Sequence, residues 1–295
     1  MKKRVIRVGS RESQLAVLQS RLVMELIGRA HPEVELELVT MKTTGDKILD
    51  RSLDAIGGKG LFVRELDQAL RTGRVDITVH SLKDLPMETP EDLPLLAFSR
   101  REDPRDALIL KPGQQELAPD ALVGCGSRRR TLQLQRLYPE LRFTGMRGNV
   151  QTRLRKLEEG QADATLLACA GLRRLGMEDR IAWAFSPEEM IPAAGQGILA
   201  VQGRAGEDDS FLDCVRDADG TLAAMAERAM VRALDGGCTS PIAAYAERSG
   251  SVLYLRGFYV SDSGRTATGL LEGSVEEPEE LGIQLAEQLK KEAEG

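Results

Sequence analysis

VIRVGSRESQLAVLQSRLVMEL, residues 5–26, joins two hydrophobic patterns of different period. VIRVG (5–9) has the apolar density of a buried strand, and Leu15, Leu18, Leu22 and Leu26 then recur at the spacing of one helix face. The stretch reads as a strand followed by an amphipathic helix, and the same grammar continues. VELELV (34–39) alternates as a strand, LFVRELDQAL (61–70) resumes helical period, and VDITVH (75–80) is a third strand. Such alternation predicts an α/β layer with a largely parallel sheet. A second run follows with ALIL (107–110), ALVG (121–124), a helix over 128–137, LRFTG (141–145), a helix over 150–158, ATLLA (164–168) and a short helix near 171–175. Asp-Pro and Pro-Gly breaks between 103 and 113 separate the two runs.

IPAAGQGILAVQG (191–203) reads as a glycine-rich turn into a strand that returns the chain to the first lobe, so two lobes joined by crossing segments form a cleft. From Gly220 the pattern changes to a helix over 222–234, a glycine loop, a hairpin of VLYLRGFYV and RTATGLLEG around SDSG, and a helix over 279–293. This predicts a separate, smaller α+β domain. Cys214 reads as a helix residue and Cys169 as core.

A chain of 295 residues suits two or three domains. No early apolar run has the length of a signal segment or a membrane span, which predicts a cytoplasmic location without membrane contact. Cys125, Cys169, Cys214 and Cys238 lack zinc-site or disulfide-framework spacing, so no metal is expected. The net charge of −6 argues against a general nucleic-acid binder. Between Arg100 and Arg155, however, 11 arginines and one lysine face six acidic residues, which concentrates positive charge and predicts an anionic ligand.

Five stretches carry candidate chemistry. HSLKDLP (80–86) leaves a strand directly, and ligands of open α/β sheets gather beyond the carboxyl ends of strands. Asp84 then faces a cleft, or else caps the next turn; His80 packs at a strand end, and His31 before Pro32 is a surface turn. GCGSRRRTLQLQ (124–135) places three arginines in the first turn of a helix, where their charge opposes the dipole unless an anion is bound. A solvated basic helix start is the other reading. MRGNVQTRLRKL (146–157) repeats the design, and Cys125 sits where a thiol pKa is lowered. GDKILDRSLDAIGGKGLF (45–62) is a basic flap or an ordinary glycine loop, since it lacks P-loop spacing. DGGCTSPIAA (235–244) holds Cys238 as a loop thiol, and with only His31 and His80 in the chain a cysteine–imidazole nucleophile is not indicated.

SRESQLA, GGKGLFVRELDQAL, HSLKDLP, REDPRDAL, MRGNVQTRL, AGLRRLG, AAGQG, AERAM and GGCTSPI occur in the order found in the hydroxymethylbilane synthase (porphobilinogen deaminase) family, which the chain resembles over nearly its whole length. The resemblance implies two periplasmic-binding-protein-like lobes, residues 1–98 with 194–216 and residues 99–193, and a third domain over 217–295. It implies a transferase of porphyrin and heme biosynthesis. Four porphobilinogen molecules are joined head to tail with loss of ammonia, and the linear tetrapyrrole is released by hydrolysis. Growth proceeds on a dipyrromethane cofactor bonded as a thioether to Cys238.

By the same resemblance Asp84 is the catalytic aspartate, and Ser81, Lys83, Ser127, Arg129, Arg130, Arg147 and Gly148 join Asp84 and Cys238 in holding the cofactor. Arg11, Gln19, Lys59, Arg147, Arg153, Arg174 and Gln196 fall on the substrate side, where the pyrrole acetates and propionates demand cations. The chain departs from the family pattern at Ala55, where a lysine is usual and Arg51 is a substitute, at Cys125 and Gly126 in place of hydroxyl residues, and at Arg128 in place of leucine. It also stops after LAEQLKKEAEG, short of the usual extension. The expected partners are porphobilinogen and its pyrrole oligomers, with the enzyme a monomer and no nucleic acid bound. A two-lobed anion-binding protein without catalysis is the alternative reading, and a regulatory nucleic-acid binder ranks last.

Overall fold

The structure is a computed structural model and describes residues 4–43, 63–237 and 240–295. The chain divides into two compact units, Met1–Arg101 with Ile198–Ala224, and Glu102–Gly197 with Met225–Gly295.

In the first unit, β1 (Arg4–Arg11), α1 (Gln14–Ala30), β2 (Val34–Met41), α2 (Arg64–Arg71), β3 (Ile77–Ser81) and β4 (Leu95–Phe98) follow in order, and the late strand β10 (Leu199–Gly203) completes the sheet. Its order is β2-β1-β3-β10-β4. Strands β2 and β3 run parallel to β1, whereas β10 is antiparallel to both β3 and β4. The sheet is therefore mixed rather than largely parallel. A strand that re-enters from a distant segment has no helical crossover to dictate its direction. Ser13 caps α1 by accepting from the Ala16 amide at 3.3 Å. The leucine stripe of α1 is not its buried face: Leu22 and Leu26 are each 39% exposed, and Gln19, Val23 and Ile27 pack inward instead. Val23 and Ile27 meet Ile6, Val8, Ile77, Val79 and Val201 on one face of the sheet. The other face closes under α2, where Leu66 and Leu70 meet Val75 and Leu93.

The second unit repeats the plan. It contains β5 (Asp106–Leu110), β6 (Leu122–Gly124), α3 (Arg128–Leu137), β7 (Arg142–Thr144), α4 (Val150–Glu158), β8 (Ala164–Ala168), α5 (Cys169–Arg174) and a two-residue edge strand β9 (Trp183–Ala184). The sheet order is β7-β6-β8-β5-β9, with β6 parallel to β7 and β8, and β5 antiparallel to β8 and β9. This sheet too is mixed. Successive residues of β8 point to opposite faces: Leu166 packs with Val123, Leu134 and Phe185, and Leu167 with Ile109, Leu154 and Leu172.

Helix α6 (Ala218–Ala233) precedes a three-stranded antiparallel sheet of β11 (Ala243–Ser249), β12 (Val252–Val260) and β13 (Thr266–Ser274), followed by α7 (Pro278–Glu294). A Cβ at Gly257 would lie 2.7 Å from Leu289 and 2.6 Å from Met230, so the missing side chain lets α7 and α6 close on β12. Ile191, Ala243 and Phe258 form one buried cluster with Leu132 of α3 against it, and Ala244 donates to Pro192 O at 3.1 Å. β4, β9 and β11 add to the expected elements. Cys214 stands in a turn after a short 3-10 segment rather than in a helix.

Candidate functional site

The expected residues gather in two clusters, one in each unit. In the first unit, β1 and β3 are parallel neighbours, so their carboxyl ends leave the sheet at the same edge. Arg11 ends β1 and Ser81 ends β3. Gln19 reaches this edge from α1: its Nε2 donates to Ser81 Oγ at 2.9 Å, and Ser81 Oγ donates to Gln19 Oε1 at 3.1 Å. Two residues 62 positions apart thus become one hydrogen-bonded pair.

HSLKDLP turns through a short 3-10 segment at Leu82–Asp84. Buried Leu82 and Leu85 anchor it, with the Leu82 amide donating to Ile198 O at 3.0 Å and that of Leu85 to Leu82 O at 3.1 Å. The carboxylate of Asp84 is exposed and has no hydrogen-bond or ion-pair partner among the described residues, so it does not cap the turn. Lys83 beside it is half-buried.

His80 is buried at the end of β3, its Nε2 2.9 Å from Thr78 Oγ1. Burial, with Arg11 nearby, lowers its pKa to about 4, so the imidazole is neutral at pH 7 and is not a general base for the site. An unfolded chain takes up that proton near pH 6.5, so between about 4 and 6.5 the unfolded state binds more protons and stability rises with pH. His80→Gln is expected to flatten the pH dependence of thermal unfolding in this window, removing a slope worth on the order of 3 kcal/mol.

In the second unit three parallel strands, β6, β7 and β8, deliver the amino ends of α3, α4 and α5 to one edge. Ser127 caps α3, its Oγ accepting from the Arg130 amide at 3.5 Å, and Asn149 caps α4, its Oδ1 accepting from the Thr152 amide at 2.9 Å. Gly148 has a φ of +123°, and a Cβ there would lie 2.5 Å from Thr152 Cγ2, so the turn into α4 requires glycine. Arg153 Nε donates to Gly148 O at 2.8 Å and fixes that turn from within the helix. Arg147 Nη1 is buried and has no hydrogen-bond partner among the described residues. Arg174 Nη2 donates to Gly197 O at 2.6 Å, and burial lowers its pKa only to about 10, which leaves the side chain charged.

Arg129 and Arg130 are about one-twentieth exposed and share Asp106, which is fully buried. Arg129 Nη1 donates to Asp106 Oδ2 at 2.7 Å and to Ile191 O at 2.8 Å. Arg130 Nε donates to Asp106 Oδ1 at 2.9 Å and its Nη1 to Leu166 O at 3.1 Å. Burial by itself raises the Asp106 pKa, but the two guanidinium groups outweigh it and hold the carboxyl below its ordinary range. Gln196, expected on the substrate side, is buried beside this pair, its Nε2 donating to Pro104 O at 2.6 Å and to Asp106 Oδ1 at 2.9 Å. Asp106 is not among the expected site residues; its only signal in the sequence is an acid just before the apolar strand ALIL, with a run of arginines downstream.

Cys125 Sγ accepts from the Ser127 amide at 3.4 Å, and Arg128 is exposed on the first turn of α3. Cys238 lies outside the described residues, as do Arg51, Ala55, Lys59 and the rest of the 45–62 stretch. Around Cys238 the described chain is tightly held. Asp235 has a φ of 53°, the one positive value at a non-glycine among the described residues, and the Gly236 amide donates to Val231 O at 2.9 Å to close α6. Gly237 and Ser240 exchange two hydrogen bonds, Gly237 N to Ser240 Oγ at 2.9 Å and Ser240 N to Gly237 O at 3.1 Å.

The second cluster fits a polycarboxylate. It offers two helix amino ends, a buried guanidinium N–H without a partner among the described residues, and two arginines set against one acid. Among the described residues no His, Cys, Asp and Glu group is arranged to hold a metal, and no helix is long and apolar enough to cross a membrane.

Comparison with known proteins gives two family models. "Porphobilinogen deaminase, dipyromethane cofactor binding domain" matches residues 6–212, and "Porphobilinogen deaminase, C-terminal domain" matches residues 221–291. The porphobilinogen deaminase of Acetivibrio thermocellus is 51% identical over 97% of this chain and 98% of its own length. That of Alkaliphilus oremlandii is 52% identical over 98% of each chain. Among solved structures, the periplasmic aliphatic sulphonate binding protein SsuA from Escherichia coli aligns with a TM-score of 0.42 and 11% identity over 79% of this chain and 71% of its own. With matching models along nearly its whole length and relatives at half identity, the chain belongs to the porphobilinogen deaminase family.

Proposed function

We propose that this protein deaminates porphobilinogen, joins four units head to tail onto a dipyrromethane primer bonded to Cys238, and releases the linear tetrapyrrole by hydrolysis. The observation that carries this reading is the net-positive cradle of the second unit, in a chain whose family model names the dipyrromethane cofactor. When bound, dipyrromethane supplies a nucleophilic pyrrole carbon to which the first substrate unit is joined. Arg147 with its unpaired N–H, Arg129, Arg130 and the Ser127 hydroxyl receive the carboxylates of the primer. The turn at Gly148 lets the backbone approach them closely.

Arg11, Arg153, Arg174 and Lys59 bind the acetate and propionate of incoming substrate, and the Gln19–Ser81 pair keeps the edge of β3 ordered beside Lys83 and Asp84. Asp84 does the chemistry. Its carboxylate accepts the pyrrole N–H of the substrate, stabilises the positive charge that develops as ammonia leaves, and takes up the proton whose loss from the newly joined carbon restores the aromatic ring. An exposed carboxylate without a local partner suits that task. A non-catalytic anion-binding role leaves both Asp84 and Cys238 without a task. The reading includes a cytoplasmic monomer whose third domain is residues 217–295.

Intact-protein mass spectrometry tests it: denatured active enzyme is expected to exceed its sequence mass by one dipyrromethane. Full activity in material at the bare sequence mass overturns the proposal.

A further inference from the structure

Asp106 opens β5 at 0% exposure, and its two oxygens accept from three side chains on two other segments. Oδ2 takes Arg129 Nη1, while Oδ1 takes Arg130 Nε at 2.9 Å, Arg130 Nη2 at 2.7 Å and Gln196 Nε2 at 2.9 Å. Gln133, one turn along α3, completes the clamp by donating to Ile191 O at 3.0 Å and accepting from the Ile191 amide at 2.8 Å. Ile191 O is the second acceptor of Arg129.

This cluster is poorly explained as a device for stability alone. A buried ion pair is often no better than an apolar replacement of the same volume, and here a single carboxylate fixes two neighbouring guanidinium groups on the first turn of α3. Both hydrogen bonds of Arg129 leave from Nη1, which keeps its Nε–Nη2 edge, the edge that takes a carboxylate bidentately, outside the cluster.

We propose that Asp106 is a positioning residue of this site: it orients Arg129 and Arg130, and through them sets the geometry in which the primer's carboxylates are received. The inference rests on the function proposed above, and it assigns a role to REDPRDAL that the catalytic scheme leaves idle.

The test compares wild type, Asp106→Asn, Asp106→Glu, the double variant Arg129→Gln with Arg130→Gln, and the triple variant that adds Asp106→Asn to it. The readout is the rate at which apoprotein gains pyrrole mass on addition of porphobilinogen, with circular dichroism and thermal unfolding as controls for folding. Asp106→Asn is expected to load at least about tenfold more slowly, as small misplacements of binding groups do. Asp106→Glu recovers part of the rate by restoring the charge. The triple variant loads no more slowly than the double, because Asp106 acts only through the arginines. Wild-type loading by folded Asp106→Asn, or a further loss in the triple variant, overturns the proposal. Should Asp106→Asn fail to fold, the triple and double variants, in which the buried arginine charges are gone, decide by the same comparison. Wild-type protein that never gains pyrrole mass overturns the underlying function instead.

Discussion

Asp84→Ala is expected to abolish turnover, by about a thousandfold or more, while leaving the fold and the dipyrromethane mass in place. The expectation follows from how little the fold asks of this residue. Its neighbours Leu82 and Leu85 are 0% and 1% exposed and fix the turn, and the backbone bonds to Ile198 O and Leu82 O need no side chain at position 84. Removing an exposed carboxylate that has no partner among the described residues changes stability by no more than about 0.5 kcal/mol. Whatever activity is lost is therefore chemical. Asp84→Asn separates charge from shape, because the amide keeps an oxygen near the pyrrole N–H but neither balances the positive charge nor takes up the proton. It is expected to be nearly as impaired as Asp84→Ala. Two measurements suffice, steady-state release of tetrapyrrole and intact mass. Wild-type turnover in Asp84→Ala refutes the catalytic role, and an unfolding temperature lowered by many degrees assigns the residue to the fold instead.

The elements that carry these residues were legible wherever local chemistry decides local structure. Helices 128–137 and 150–158 were readable to the residue because Ser127 and Asn149 are strong caps in front of periodic apolar positions. The run ATLLA announces a buried strand for the same local reason. Direction and pairing were not legible. β10 looks alike in sequence whether it runs parallel or antiparallel, and β11, AAYAERS, is rich in alanine, which gives too little contrast between faces to mark a strand. In α1 the leucines suggested the inward stripe, but the sheet beneath selects Gln19, Val23 and Ile27, and places Gln19 against Ser81. Asp106 was hidden for a related reason. An acid at a strand start looks like a solvated end until the fold brings arginines 23 and 24 positions away onto it.

Cys238→Ser is expected to yield a folded protein without covalent pyrrole and without turnover. A hydroxyl is a far weaker nucleophile than a thiol, because its anion is hardly populated at neutral pH. No other cysteine is placed to substitute. Cys169 is 0% exposed, and burial pushes its thiol up to about 12. Cys125 is 7% exposed, its sulfur engaged by the Ser127 amide. Cys214 is half-buried, donates to Phe211 O at 3.4 Å, and has its pKa raised by burial. The surroundings of position 238 contrast with these. Asp235 at positive φ, two glycines and the Gly237–Ser240 pair hold the flanking chain in a fixed, open geometry, and a Cβ at Gly237 would meet nothing within 4 Å. Backbone strain of this kind costs on the order of 1–3 kcal/mol and persists where position matters more than stability. Replacing Cys238 leaves those flanking contacts untouched, so the unfolding temperature of Cys238→Ser should match that of wild-type protein stripped of its pyrrole. Peptide mapping of the wild type is expected to find the added mass on the fragment containing residue 238, and the serine variant is expected to show none. A serine variant that still carries the mass after denaturation, on any residue, places the tether elsewhere.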